Sequence, residues 1–155
     1  MQWVNAALDE LDAYKRPIPV VVKHLCAVPV ASVRAIVNSY AEILRFEQEL
    51  LNALPRHCVG DLLGVLWHRC GDSGALEGEP FVALKRRVPL RSYYEVKQLP
   101  ASTVTCAYSP PDDASAEQTY RAIRKWMSVR GYDVAGPKRE ISLGQMLEIQ
   151  FPLKS

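Results

Sequence analysis

Val20-Val21-Val22-Lys23-His24-Leu25 returns in altered form as Tyr94-Glu95-Val96-Lys97-Gln98-Leu99, with Val-Lys-x-Leu at the same internal spacing. Both stretches are short and carry β-branched residues, so both read as strands. A second strand follows each, over Val30 to Val37 in the first half and Ser102 to Tyr108 in the second. A helix comes next in both. Tyr40, Ile43, Leu44, Leu50, Leu51 and Leu54 form an apolar stripe at helical spacing, with Glu42, Glu47 and Glu49 outside it and Pro55 at its end. In the second half Pro110-Pro111-Asp112-Asp113 supplies a break and a cap, a helix runs through Tyr120, Ile123, Trp126 and Met127, and Gly131 closes it. Each half then ends in two strands: Gly64 to His68 with Phe81 to Pro89, and Glu140 to Leu143 with Met146 to Leu153 around Gly144. Even the endings correspond, Val88-Pro89-Leu90 against Phe151-Pro152-Leu153. The pattern is an internal duplication of strand, strand, helix, strand, strand, each half roughly 70 residues long. The fold class is therefore α+β: two pseudo-symmetric repeats forming a curved antiparallel sheet. The groove between the repeats is the natural place for a ligand, because pockets favour interfaces between subdomains.

The remaining sequence bounds this picture. The chain has 155 residues, 48% apolar and 23% charged, which are globular values and exclude a disordered or collagen-like chain. It reads as one domain over 1–155, with an N-terminal helix and Pro break over 1–17, a first repeat over 18–90 and a second over 91–155. The helix spans Trp3 to Tyr14 and stops at Pro17 and Pro19. No apolar run approaches the roughly 20 residues of a membrane span, and the N-terminus lacks the basic start and apolar stretch of a signal peptide. Net charge is +2. The basic groups Lys85-Arg86-Arg87 with Arg91, and Arg121, Arg124, Lys125 and Arg130, read as solvated faces, so direct nucleic-acid binding is not expected. Cys26, Cys58, Cys70 and Cys106 contain no C-x-x-C pair. With no secretion signal they point to a reducing cytoplasm. His57, Cys58, His68 and Cys70 do not match a recognised zinc spacing, so no metal and no cofactor are expected.

Catalytic motifs are absent: there is no G-x-S-x-G, P-loop, H-E-x-x-H or dinucleotide fingerprint. His24, His57 and His68 lie in unrelated contexts and read as structural. One carboxylate stands out. Glu140 opens Glu140-Ile141-Ser142-Leu143 after Gly136-Pro137-Lys138-Arg139, and alternation sends Glu140 and Ser142 to one face, Ile141 and Leu143 to the other. If Ile141 and Leu143 pack under the helix, Glu140 faces the groove. There a carboxylate is costly unless paired, and it attracts a cation. The plainer alternative is a surface glutamate at a strand end. Val65 and Trp67 fall at the places in the first repeat that correspond to Glu140 and Ser142, so Trp67 sits across the pseudo-twofold axis from the acid, and Tyr40 and Tyr108 can reach the same groove. Aromatic rings around a carboxylate suit delocalised or quaternary cations. Tyr120 and Trp126, spaced with Ile123 and Met127, read as core.

Four segments together resemble a known family: Gln98-Leu99-Pro100-Ala101; Thr119-Tyr120-Arg121-Ala122-Ile123-Arg124-Lys125-Trp126; Gly131-Tyr132-Asp133-Val134-Ala135-Gly136-Pro137-Lys138-Arg139-Glu140; and Leu147-Glu148-Ile149-Gln150-Phe151-Pro152-Leu153. They are similar to the GyrI-like small-molecule-binding domain, the effector-binding half of multidrug-sensing MerR-type and some AraC-type regulators. The resemblance covers about residues 18 to 155 and is most specific in the second half. It implies a central cleft that holds lipophilic cations against a buried glutamate ringed by aromatics. That glutamate corresponds to Glu140, and the pocket tyrosine at the first helix's start to Tyr40. Trp67 matches a position that is commonly aromatic, and Ser142, Gln145 and Leu147 match cleft positions on the last hairpin. The chain departs from the pattern in its very short hairpin between Leu143 and Met146, in Gln145 where a sensor tyrosine can stand, and in Asp113 where an aromatic is frequent.

The MerR-type DNA-binding head and linker helix do not fit in the 17 residues ahead of the first repeat, so this is either a stand-alone module or the effector part of a longer protein; with Met1 at the start the expectation is the stand-alone module. Its function is then binding of small amphipathic or lipophilic cations, for sensing or sequestering. A small-molecule hydrolase using the cleft glutamate and a tyrosine is the alternative, followed by a protein-interaction module of the gyrase-inhibitor kind. A homodimer or partner contact through the N-terminal helix is left open.

Overall fold

The computed structural model describes residues 17–70, 76–86, 88–89 and 93–155. The expected helix over Trp3 to Tyr14, and with it the partner contact assigned to that helix, lies outside the described residues. The first repeat contains β1 (Val21–Leu25), β2 (Val28–Ser32), β3 (Ala35–Val37), α1 (Tyr40–Ala53), a short 3-10 turn (Arg56–Cys58), β4 (Val59–Cys70) and β5 (Leu76–Leu84). The second contains β6 (Glu95–Leu99), β7 (Ser102–Ser109), α2 (Asp113–Arg130), β8 (Lys138–Ser142) and β9 (Leu147–Pro152). The architecture of the described residues is α+β, an open, curled antiparallel sheet with two α-helices.

The strand order is β1-β7-β9-β8-β4-β5-β2-β6, with β3 beside β5. The repeats exchange their first strands. β1 of the first repeat pairs with β7 of the second, and β6 of the second pairs with β2 of the first. The strand pair that opened the sequence reading thus ties the halves together at both ends of the sheet. In the middle they meet along β4 and β8, where Gly64 opposes Ile141, Val65 opposes Glu140 and Trp67 opposes Lys138. Gly64 is required at that seam, since a Cβ there would lie 2.6 Å from the Glu140 carbonyl oxygen and 2.8 Å from the Phe81 ring.

Both helices cover one face of the sheet. Ile43 and Leu50 of α1, with Leu54 just past its end, pack in clusters with Val37, Val65, Trp67, Val82 and Leu84. Tyr120, Ile123 and Met127 of α2 pack on Ala107, Ile149 and Phe151. The α2 cap expected within Pro110 to Asp113 is Asp112, whose carboxylate accepts from the Ser115 backbone N–H at 2.7 Å. Val30, Leu66, Phe81, Leu99 and Ile141 form a separate cluster, which strand alternation assigns to the other face.

Several boundaries differ from the sequence reading. Val30 to Val37 is two strands rather than one. Its register on β5 is unbroken, with Ser32 opposite Phe81 and Ala35 opposite Gly78, but one of the two residues between is Pro80. Proline has no N–H to give the ladder and contributes only its carbonyl, which accepts from Val33 at 3.2 Å. β4 is longer than Gly64 to His68. β5 begins and ends earlier than Phe81 to Pro89, its last residue preceding exposed Lys85 and Arg86. The β8–β9 turn closes with Leu143 donating to the Met146 carbonyl at 2.9 Å. Gly144 has φ 83° there, as a two-residue hairpin demands.

Candidate functional site

The opposed strands β4 and β8 carry Trp67 and Glu140 on the helix-bearing face, between the N-terminal ends of α1 and α2. A cavity of about 770 Å³ opens there. Glu140 is 6% exposed. Tyr40, the first residue of α1, donates its hydroxyl to Glu140 Oε2 at 2.9 Å, and Tyr120 of α2 donates its hydroxyl to Oε1. Each carboxylate oxygen is thus held by a phenol from a different repeat. The Tyr40 ring stacks on Trp67, with centroids 5.6 Å apart and planes at 28°. The buried Trp67 indole N–H is near enough to favour the Glu140 anion, yet it closes no hydrogen bond of ordinary geometry. Leu44, Leu76, Ala116 and Leu147 supply apolar wall, and Glu77, Asp112, Asp113 and Glu117 also line the cavity. Lys138, two residues before Glu140 and on the same face, places its ammonium 3.9 Å from the Tyr120 ring centroid.

Electrostatics follow from this packing. Burial pushes the Glu140 carboxyl above its ordinary value of 4.5, the Tyr40 hydroxyl and Trp67 N–H pull it back in part, and the charge of Asp113 pushes it up again. Burial, then the Glu140 charge and the hydrogen bond to it, raise the Tyr40 phenol. Tyr40 therefore keeps its proton at neutral pH and acts as a hydrogen-bond donor. With Glu140 ionised, such a site stabilises a positive charge: it offers an anion, π faces and little competing water.

Of the seven residues singled out from the sequence, Glu140, Trp67, Tyr40 and Leu147 line this cavity. Ser142, half-buried at the end of β8, and Gln145, exposed in the turn, are outside its lining. Tyr108 stands elsewhere. It opposes Glu148 on β9, which opposes Ile141 on β8, so its side chain belongs to the face away from the helices. There it accepts from Lys23 at 2.8 Å. The packing premise for Glu140 also needs correction: Ile141 lies under no helix but in the far-face cluster, and Glu140 reaches the cleft because the two helices stand on its own side.

Sequence reasoning missed Tyr120 and Lys138. Tyr120 is core, as read, being 6% exposed and packed with Ile123 and Phe151, but its hydroxyl also reaches Glu140. That role depends on the tilt of α2 over the sheet, which no local pattern encodes. Lys138 was legible, because alternation along β8 puts it on the Glu140 face. Among the described residues no group of three or more His, Cys, Asp or Glu side chains could hold a metal ion, and no helix is long and apolar enough to cross a membrane.

No protein-family model and no curated protein matches this chain in sequence. Solved structures do match it. The C-terminal domain of EcmrR superposes with a TM-score of 0.76 at 20% identity, covering 90% of this chain and 99% of that one. In a complex of EcmrR with DNA the TM-score is 0.78 at 19% identity, and this chain spans 63% of the longer protein. A hydrolase from Listeria innocua matches with a TM-score of 0.67 at 11% identity, over 94% of this chain and 97% of that one. SAV2435 bound to tetraphenylphosphonium matches with a TM-score of 0.61 at 14% identity, over 89% and 95%. These identities establish the fold, and the neighbours differ in what they do. The chain has the fold of a GyrI-like domain, as the resemblance carried by its second-half segments implied.

Proposed function

We propose that this protein binds small lipophilic cations in the cleft between α1 and α2, as a sensing or sequestering module, with Glu140 as the counter-charge. The observation that carries the reading is the buried Glu140 carboxylate at the base of an aromatic, acid-lined cavity, each oxygen met by a tyrosine hydroxyl. A hydrophilic cation would lose its hydration shell on entry, whereas a delocalised one brings little hydration to lose and gains the faces of Trp67 and Tyr40. The neighbour bound to tetraphenylphosphonium supports the same ligand class. In this reading Leu147 contributes apolar wall. Ser142 and Gln145 act at most at the cleft's margin, and Tyr108 has no direct part. The organisation that goes with it is one domain of two repeats, 18–90 and 91–155. It works in the cytoplasm without cofactor, nucleic acid or membrane.

A hydrolase is the second reading, favoured by the direct Glu140–tyrosine contacts. There Glu140 would take a proton from water or attack directly, and a tyrosine would donate to the leaving group. The raised Tyr40 phenol is a weak acid, which argues for binding over turnover. Titration with tetraphenylphosphonium and with neutral triphenylphosphine oxide, on wild type and Glu140→Gln, tests the proposal. Cation affinity should fall in the variant while neutral affinity holds. Product formation from ester or epoxide substrates, lost in Glu140→Gln, would favour the hydrolase instead.

A further inference from the structure

Arg139 and Glu140 are neighbours on β8, and strand alternation sends them to opposite faces of the sheet. Glu140 enters the helix-side cleft. Arg139 enters a second cavity of about 400 Å³ on the far face, under the Pro100–Ala101 turn and beside Gly136 and Pro137. Its side chain is buried, with the residue 5% exposed, and burial depresses its pKa. Among the described residues no carboxylate pairs with it. Its one hydrogen bond runs from Nη2 to the Pro100 carbonyl at 3.5 Å, the outer limit of such a contact.

Among the described residues, the acids nearest this cavity are already engaged. Glu79, which lines the cavity, meets Ser32 Oγ at 2.6 Å, His68 Nε2 at 2.9 Å and the Lys97 ammonium. Glu77 is held by Arg34 at 2.5 Å. Glu148 takes Lys23 at 3.0 Å and the Gln150 amide at 2.5 Å. Arg139 is left as a buried guanidinium with donors to spare, in a cavity whose other ionisable lining is Arg34, His68, Lys97 and the single acid Glu79. A buried charge in that condition is costly until an anion meets it, and a guanidinium fork matches two oxygens of one anion.

We propose that this far-face cavity binds a small oxyanion, a carboxylate or a phosphate, on the Arg139 guanidinium. The site is independent of the cation cleft and does not rest on that reading.

The test follows the Arg139 Nε–H resonance and thermal unfolding during titration with sodium acetate and with inorganic phosphate, against sodium chloride at matched ionic strength. Arg139→Met and Arg139→Lys are run in parallel, with a dispersed amide spectrum as the check on folding. The expected result is a saturable shift of the Nε–H signal and a saturable rise in Tm with one or both oxyanions. The Tm response should be weaker by about tenfold or more in Arg139→Met. A response to acetate alone identifies a carboxylate site, and to phosphate alone a phosphate site. The proposal is overturned if neither oxyanion gives a saturable shift, if chloride reproduces the effect, or if folded Arg139→Met responds like wild type. Should neither variant fold, the wild-type resonance decides alone.

Discussion

Removing the Tyr40 hydroxyl while keeping its ring separates the two things that residue does. Tyr40→Phe retains the face stacked 5.6 Å from Trp67 but deletes the donor 2.9 Å from Glu140 Oε2. A hydrogen bond to a charged group contributes about 1.5–3 kcal/mol. The phenol also bonds, more weakly, to a protonated carboxyl, so about half of that amount, ~1 kcal/mol, is differential between the two forms. At 1.36 kcal/mol per pKa unit the Glu140 carboxyl should rise by a little under about one unit. It already lies above 4.5, because burial outweighs the donors around it. Cation binding needs the ionised form. Affinity should therefore be flat well above the Glu140 midpoint and fall about tenfold per pH unit below it. Tyr40→Phe should move that breakpoint upward by roughly 0.5–1 unit and leave the high-pH plateau within about threefold of wild type. Calorimetric titration with tetraphenylphosphonium between pH 4 and pH 9 reads both quantities. A breakpoint that stays put or moves down would refute the assignment of the Tyr40 hydroxyl as a donor that stabilises the anion.

Three further outcomes follow from the packing. Lys138→Met removes a positive charge from the cleft lining beside Tyr120. It should strengthen cation binding by about fivefold, near 1 kcal/mol, an effect that shrinks in high salt. Gly64→Ala forces a Cβ against the Glu140 carbonyl and Phe81 across the central seam. It should cost about 1–3 kcal/mol in denaturant unfolding and leave the m-value unchanged. Burial alone would raise the Glu79 carboxyl, but Lys97, Ser32 and His68 hold it below its ordinary value. Stability that depends on its charge is then present above about pH 4.5 and lost as pH falls toward its depressed value. Acid unfolding curves should accordingly be flatter in that range for Glu79→Gln than for wild type.

The duplication, both helices and the α2 cap were legible because each rests on local pattern: the recurrence of Val-Lys-x-Leu, the spacing of Ile43, Leu50 and Leu54, and an Asp ahead of an apolar stripe. Alternation separated Glu140 from Ile141, but which of the two faces carries the helices was not legible: Ile141 was expected under a helix, and Glu140 lies there instead. What escaped depended on distant partners. The break after Ser32 comes from Pro80 on a neighbouring strand, and nothing in Val30 to Val37 announces it. The exchange of β1 and β6 between repeats is a choice of pairing partner, which strand propensity does not encode. Tyr120 satisfied the core pattern fully, so its hydroxyl contact with a residue 20 positions away left no separate mark. Tyr108 was placed in the groove because a strand end has two faces, and only its pairing with Glu148 decides between them. The far-face network of Ser32, His68, Glu79 and Lys97 draws one residue from each of four strands, none of which is unusual by itself.

The central claim is that Glu140 is the counter-charge for a lipophilic cation, and its most direct test is the affinity of tetraphenylphosphonium for wild type and Glu140→Gln at pH 8. Removing one partner of a desolvated charge pair costs about 2–5 kcal/mol. The account therefore predicts affinity lower by at least about thirtyfold in the variant, with triphenylphosphine oxide changed by less than about threefold. Equal affinity of both proteins for the cation, or no binding by wild type, would contradict it.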